Sequence, residues 1–523
     1  MPTPQRIEKD YRHHAKLQIL TLQSHQFAVI LHYKWYEIVY TMTNMSNIRN
    51  NNSSTIVPKD NTTNRTNNND PMSLGTKPIG KLLLQYSIPA IIASVAVSLY
   101  NIIDSIFIGR GVGPMAIAGL AITLPLMNLL MAFCTLIAAG GATISSIFLG
   151  QKNISRATDV VNNVLTFCLI HSIIFGGVTL WFLDPILTFF GATPQTIPYA
   201  REFMQVILYA TPVAYVFIGL NNLMRATGYP KKAMISALLS VAVNVILAPI
   251  FIYVFKWGIA GAAWATNCAQ FASLIWVLSH FLSKKSFVHF NPHNRWFTGS
   301  ILKKIYQIGL SPFLMNVCAC IVVIFLNKAL LDCGGVNGDM AVGAHGIMNR
   351  TTMFFVMVVF GVTQGMQPIL GFNYGAKQWD RVQSTLNRGI WIGVSITALG
   401  CLLTETMPDA ISRMFTVDEQ LISIARDGFR IYFICYPVVG CQIVIQNFFQ
   451  SIGKPHISIF LSLTRQLIFL LPFLLILPKY FGISGVWASM AASDFLAFAV
   501  ALITMLIMRH KHEKRLAMDV KQA

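Results

Sequence analysis

The chain has 523 residues, of which 54% are hydrophobic and only 11% charged, with a formal net charge of +19. Soluble domains carry about 25% charged residues, so the composition excludes a soluble protein and predicts an all-α polytopic membrane protein. The excess cations sit in short loops between apolar runs, which is the positive-inside pattern of a membrane protein rather than a nucleic-acid surface. Nine cysteines include no C-x-x-C pair, so neither a disulfide framework nor a metal centre is expected.

Taken in order, residues 1–78 fall outside the membrane body. The run 17–40 is mildly apolar but interrupted by Gln23, His25, His32, Lys34 and Glu37. The tract 44–69 is rich in Asn, Thr and Ser, a composition that cannot bury enough apolar surface to fold. The segment is expected to be disordered or untranslated, with Met45 and Met72 as alternative starts to Met1.

Next comes the run 79–110, long enough to cross a bilayer of about 30 Å, with Pro89 near its start and one acid, Asp104, towards its far end. A carboxylate inside hydrocarbon is costly unless paired, hydrated or protonated, so such residues usually face a cavity and serve ion or substrate movement. The alternative is an acid at the outer headgroup interface, because Asp104 lies well past the midpoint.

Twelve spans follow from hydropathy. The first six cover roughly 82–109, 115–148, 158–183, 198–224, 231–256 and 259–283; the second six cover roughly 302–331, 340–372, 384–406, 421–449, 456–478 and 482–508. Pro125, Pro212, Pro249, Pro312, Pro368 and Pro472 lie inside spans and predict kinks. Lys152 and Arg156, Arg225 with Lys231 and Lys232, Lys284 to Lys304, Lys377 and Arg381, Lys454, and Arg509 to Arg515 all follow even-numbered spans. The opposite loops carry Asp184, Asp332, Asp339, Asp409, Asp418 and Glu419. Both termini are therefore expected on the cytoplasmic side.

The two sets of six spans repeat each other. Gly150, Lys152 and Arg156 align with Gly375, Lys377 and Arg381, Met115 with Met340, and Gly228 with Gly453, each pair 225 residues apart. Gly258-Ile259-Ala260-Gly261 matches Gly482-Ile483-Ser484-Gly485 at an offset of 224. Because six is even, both halves enter from one side and the repeat is parallel. The expected organisation is an N-lobe at 79–283, a cytoplasmic linker at 284–301, a C-lobe at 302–508 and a tail at 509–523: two pseudo-symmetric six-helix bundles around a cleft. Asp104 follows Pro89 by 15 residues, and the same step from Pro312 lands on Asn327, so this acid is confined to the first half.

These features resemble the multidrug and toxic compound extrusion (MATE) family, in its bacterial branch, from 79 to about 509. The marks are Tyr100-Asn101-Ile102-Ile103-Asp104, Ala226-Thr227-Gly228, Gly258 to Ala263 and Leu463-Thr464-Arg465-Gln466. The resemblance implies efflux of amphipathic organic cations, driven by inward flow of H⁺ or Na⁺ through a cation site in the N-lobe. It assigns cation coupling to Asp104, to Asn244 of an N-x-x-x-D-P motif and to Thr266 of a GAAxAT motif. Here that first motif ends Ala248-Pro249, so a second carboxylate is missing, and no acid lies between Gln307 and Leu331. A hard cation such as Na⁺ wants several oxygens, whereas a proton needs one titratable group. H⁺ is therefore favoured over Na⁺, with no other cofactor.

Cargo contacts are expected from Asn101, Asn128, Asn222, Asn316, Gln364, Gln367 and Met353, against the alternatives of helix–helix hydrogen bonding for the amides and packing for the methionine. Arg350, Arg465 and Asp494 also lie in spans, where pairing or snorkelling explains them as well as transport does. The expected partners are small organic cations and the lipid bilayer, with the chain a monomer. A flippase of lipid-linked saccharides is the alternative function. No HExxH motif, acid–histidine cluster or sizeable extramembrane domain supports an enzyme.

Overall fold

In hydrocarbon every backbone N–H and C=O must be satisfied within the segment, which leaves helices as the economical solution for such apolar runs. In the computed structural model the described residues are 71–522, apart from 284, 285, 292, 293, 336 and 337. The polar tract, the starts Met1 and Met45, and the loop cations Lys284 and Lys285 lie outside the described residues.

The first half comprises α1 (Ile79–Gly111), α2 (Pro114–Gly150), α3 (Ile154–Trp181), the short α4 (Leu183–Phe189), α5 (Ile197–Tyr209), α6 (Thr211–Ala226), α7 (Pro230–Pro249) and α8 (Gly258–Leu282). The second comprises α9 (Gly299–Gly334), α10 (Gly338–Gly375), α11 (Trp379–Thr406), the short α12 (Pro408–Arg413), α13 (Glu419–Tyr432), α14 (Tyr436–Ser451), α15 (Pro455–Leu463) and α16 (Leu471–Gln522). Among the described residues nine helical runs are long and apolar enough to cross a membrane, or ten when α5 and α6, bent by 56°, count as one broken span. The run 455–514 holds two spans, because Gly482 leaves helical geometry at φ 58°, ψ −138°. With the 25-residue α8 the body has the twelve spans expected from hydropathy.

The α5–α6 bend falls at Thr211-Pro212, where proline at the start of α6 supplies no N–H to α5. Two spans also carry π-helical turns, at Ile250–Val254 after α7 and at Thr464–Leu470 after α15. The repeat is written into the backbone. Lys152 and Lys377 both adopt positive φ (58° and 59°), as do Gly228 and Gly453, and Gly258 and Gly482.

The most extensive contacts run between the halves, α2 on α9 and α1 on α10. Glycines make them possible. At Gly140 and Gly309 an added Cβ would strike the backbone of Ile305 and Leu136, and at Gly361 and Gly365 that of Ile91 and Ser87. Gly150 meets Phe372 and Gly375 meets Ile147, a reciprocal pair in which each partner is displaced by the repeat offset of 225. All these contacts lie in the portion of the helices nearest the cationic loops.

Two expected boundaries need correction. Residues 71–78 belong to the body: Pro71–Gly75 forms a 3₁₀ turn with Leu74 buried. Asn373 and Arg381 donate to the Leu74 carbonyl, and Arg381 also to that of Lys77. The segment 509–523 is not a separate tail, because α16 continues to Gln522. No proline or glycine interrupts it after Gly485, Arg509 donates to Asn387, and the His512 ring meets that of Trp379. The linker after α8 is held to α3, where Asn162 donates to the Asn291 carbonyl and Asn163 to that of Arg295.

Candidate cation and cargo site

Asp104 stands seven residues before the end of α1, Asn244 ten before Val254, and Thr266 eight after the start of α8. At 1.5 Å per residue, all three lie roughly 10–15 Å from the end opposite the cationic loops. Helix α1 packs on both α7 and α8, and its last turn meets the π turn, where the Tyr253 hydroxyl donates to the Phe107 carbonyl at 3.3 Å.

Asn244 and Thr266 are brought together. Both are buried, and the Asn244 amide donates to the Thr266 hydroxyl at 3.0 Å, which in turn donates to the Ala262 carbonyl at 3.2 Å. Ala248, where the family motif has its second acid, is fully buried and offers no oxygen. Asp104 is half-buried, yet its Oδ1 is shut away from solvent with no hydrogen-bond partner among the described residues. The neighbouring Tyr100 lies within electrostatic reach one turn earlier. An ionised carboxylate in this setting lacks the partners that offset desolvation, so uptake of a proton or metal cation would relieve it.

The expected cargo residues divide by depth. Asn222, Gln364 and Gln367 lie on the cationic side of the molecule, away from Asp104. Arg225 of α6 donates to Gln364 of α10 across the seam and to Asn222 Oδ1 at 3.2 Å. Gln367 donates to the Thr143 hydroxyl at 2.8 Å and the Ala139 carbonyl at 3.3 Å. Two of the seven, Gln364 and Gln367, thus tie the halves together, while Asn222 braces Arg225 within α6. Asn316 turns onto the Pro312 carbonyl of its own helix at 2.8 Å. Asn128 is exposed on α2 near the Cys320 thiol of α9, and Met353 is exposed on α10. The side chain of Asn101 lies outside the described residues.

The second half holds its own buried acid. Asp494 of α16 accepts from Arg465 Nε at 2.7 Å, and the Tyr432 hydroxyl reaches both. Arg465 sits in the π turn Thr464–Leu470, whose extra residue re-aims side chains from a helical face. Sequence reasoning had both charges inside spans and pairing as one option; their separation of 29 residues across two spans hid the contact. It missed the Arg225–Gln364 tie, since Arg225 reads as a loop cation. Among the described residues no three His, Cys, Asp or Glu side chains gather as a metal site. His171 lies against Phe133, and His345 stacks on Trp487.

The MatE family profile matches residues 89–250 and 308–476. The multidrug export protein MepA of Staphylococcus haemolyticus is 25% identical over 427 residues, covering 81% of this chain and 93% of that protein. MepA of Staphylococcus aureus is 25% identical over 432 residues, covering 82% and 94%. A solved structure described as the outward-facing conformation of a multidrug resistance MATE family transporter of the MOP superfamily superposes with a TM-score of 0.79. It is 22% identical and covers 85% of this chain and 98% of that one, a likeness of fold.

Proposed function

The chain belongs to the MatE family of multidrug and toxic compound extrusion transporters, and from that premise we propose that it exports amphipathic, mostly cationic organic compounds in exchange for an inward-moving cation, H⁺ ahead of Na⁺. The observation that carries this reading is the buried, unpartnered Asp104 oxygen at the depth of the Asn244–Thr266 pair. The choice of ion rests on the oxygens available. The Asn244 N–H occupies the Thr266 hydroxyl oxygen and Ala248 contributes none, which leaves a poor shell for Na⁺ but sufficient chemistry for a proton.

The cycle follows from linkage. With the cationic end sealed, the cleft opens to the opposite side, where Asp104 takes up its cation and α1 repacks against α7 and α8, weakening the hold on cargo. When the halves rock, the seam at Gly140, Gly309, Gly361 and Gly365 parts, the ion leaves and cargo is recaptured from the other side. Coupling requires only that ion and cargo favour opposite conformations by a few kcal/mol. The orientation proposed is a multi-pass protein of the bacterial cytoplasmic membrane with both termini inside, acting as a monomer.

No observation favours the lipid-linked saccharide flippase. Proteoliposomes with imposed gradients test the proposal: a pH gradient alone should drive cargo export, and Asp104→Asn should abolish it in a folded protein. Export driven by Na⁺ and insensitive to a protonophore would overturn the choice of ion, and wild-type export by the variant would remove Asp104 from the scheme.

A further inference from the structure

A groove of about 510 Å³ opens beside α1 and the start of α7, at the cationic end and away from the Asp104 site. Its walls include Lys81, Leu84 and Ile88 of α1, and Tyr229, Lys231 and Lys232 at the start of α7; none of its lining residues is acidic. All three lysines are exposed. Lys232 is held in place, its Nζ 3.3 Å from His280 Nδ1 and 5.1 Å from the Tyr229 ring centroid. Lys81 and Lys231 have no acidic partner among the described residues. This is a concentration of positive charge that the protein itself does not neutralise.

The groove is also graded in polarity. Lys81, Leu84 and Ile88 follow the i, i+3, i+7 spacing of one helix face, and Ile88 lies about 10 Å above Lys81 along the axis. Leu84 is 62% and Ile88 49% exposed, although neighbouring Leu82, Leu83 and Tyr86 are packed inside. Ascending the groove, charge at the interface gives way to bare aliphatic surface at the depth of acyl chains. A soluble anion would use only the lower part. A molecule with an anionic head and a hydrocarbon tail uses all of it, and basic pockets between spans at the cytoplasmic interface are suited to such heads.

We propose that this groove binds an anionic phospholipid of the adjoining leaflet, its phosphate among Lys81, Lys231 and Lys232 and an acyl chain along Leu84 and Ile88. The lipid would splint the start of α1, the helix that carries Asp104, against α7. The site does not depend on which ion or cargo is moved.

Native mass spectrometry of the full chain, released from nanodiscs of phosphatidylglycerol mixed with phosphatidylcholine, tests it. The wild type should retain phosphatidylglycerol in preference to phosphatidylcholine. K81Q/K231Q/K232Q should weaken that retention by at least about tenfold, while K81R/K231R/K232R restores it. K303Q/K511Q/K514Q, which removes equal charge from the same end, should leave it unchanged. Undiminished retention by the glutamine triple, an equal loss in the control triple, or displacement of the lipid by glycerol phosphate alone would each overturn the proposal.

Discussion

The two halves share a backbone plan, yet two acids on their spans, Asp104 and Asp494, are answered differently. In the first, Asp104 presents a shielded oxygen with no partner among the described residues. In the second, Asp494 is met by Arg465 at 2.7 Å and by Tyr432. Arg465 is a tethered cation: it does permanently for Asp494 what a mobile ion would do transiently for Asp104. Under the exchange proposed for Asp104, one guanidinium on a π turn is enough to separate a structural acid from an exchangeable one.

The largest expected effect breaks the exchangeable side. Asp104→Asn should reduce gradient-driven export to the level of empty liposomes while leaving helical content and thermal unfolding close to wild type. On the structural side the order reverses. Arg465→Leu should destabilise the fold by about 3–5 kcal/mol, the cost of abandoning a buried charge, and R465L/D494L should recover most of it in thermal unfolding measured in detergent. If Arg465→Leu instead transported normally without losing stability, the contrast between the halves would collapse.

Two changes sharpen the comparison. Ala248→Asp places a carboxylate beside the Asn244–Thr266 pair and should make export or thermal stability respond to Na⁺ more strongly than in the wild type. Gln364→Ala removes the acceptor that Arg225 finds across the seam, leaving a half-buried guanidinium short of a partner at a cost of about 1–3 kcal/mol. Spin-label distances across the cationic end should then shift towards the parted conformation.

The smallest effect lies outside the bilayer. Arg426 donates to Asp409 through two nitrogens, at 2.5 and 2.7 Å, and this hydrogen bonding holds the Asp409 carboxyl below its ordinary value. Its contribution is present above the ordinary carboxylate range and fades as pH falls through the lowered value. Asp409→Asn should therefore flatten the acid limb of the stability profile slightly and leave neutral pH almost untouched, because exposed pairs contribute little.

Much of the scaffold was legible because bilayer thickness imposes a length on each apolar run, and because loop cations and matched glycines mark the repeat. The bend between α5 and α6 had a signal in Thr211-Pro212, but hydropathy averages over it. The π turns at Ile250–Val254 and Thr464–Leu470 had none, since an extra residue per turn changes no composition. For the site, the motifs singled out Asn244 and Thr266, and the structure adds that the two side chains bond each other. The fate of Asn222, Gln364 and Gln367 was not legible: an amide on a span has the same sequence whether it faces cargo or the opposing half, and only packing across 139 residues joins Arg225 to Gln364. Residues 71–78 were assigned outward by their polar neighbours, whereas Leu74 and the carbonyls that Arg381 collects hold them in.

The reciprocal meeting of Gly150 with Phe372 and Gly375 with Ile147 carries a consequence for economy of the ion gradient. Where main chain lies directly on main chain, no side chain can swing aside and no file of water can thread between. If Asp104 loads from one face as proposed, the polypeptide itself closes the other at this contact, so that a proton would have no path along it that bypasses the cargo.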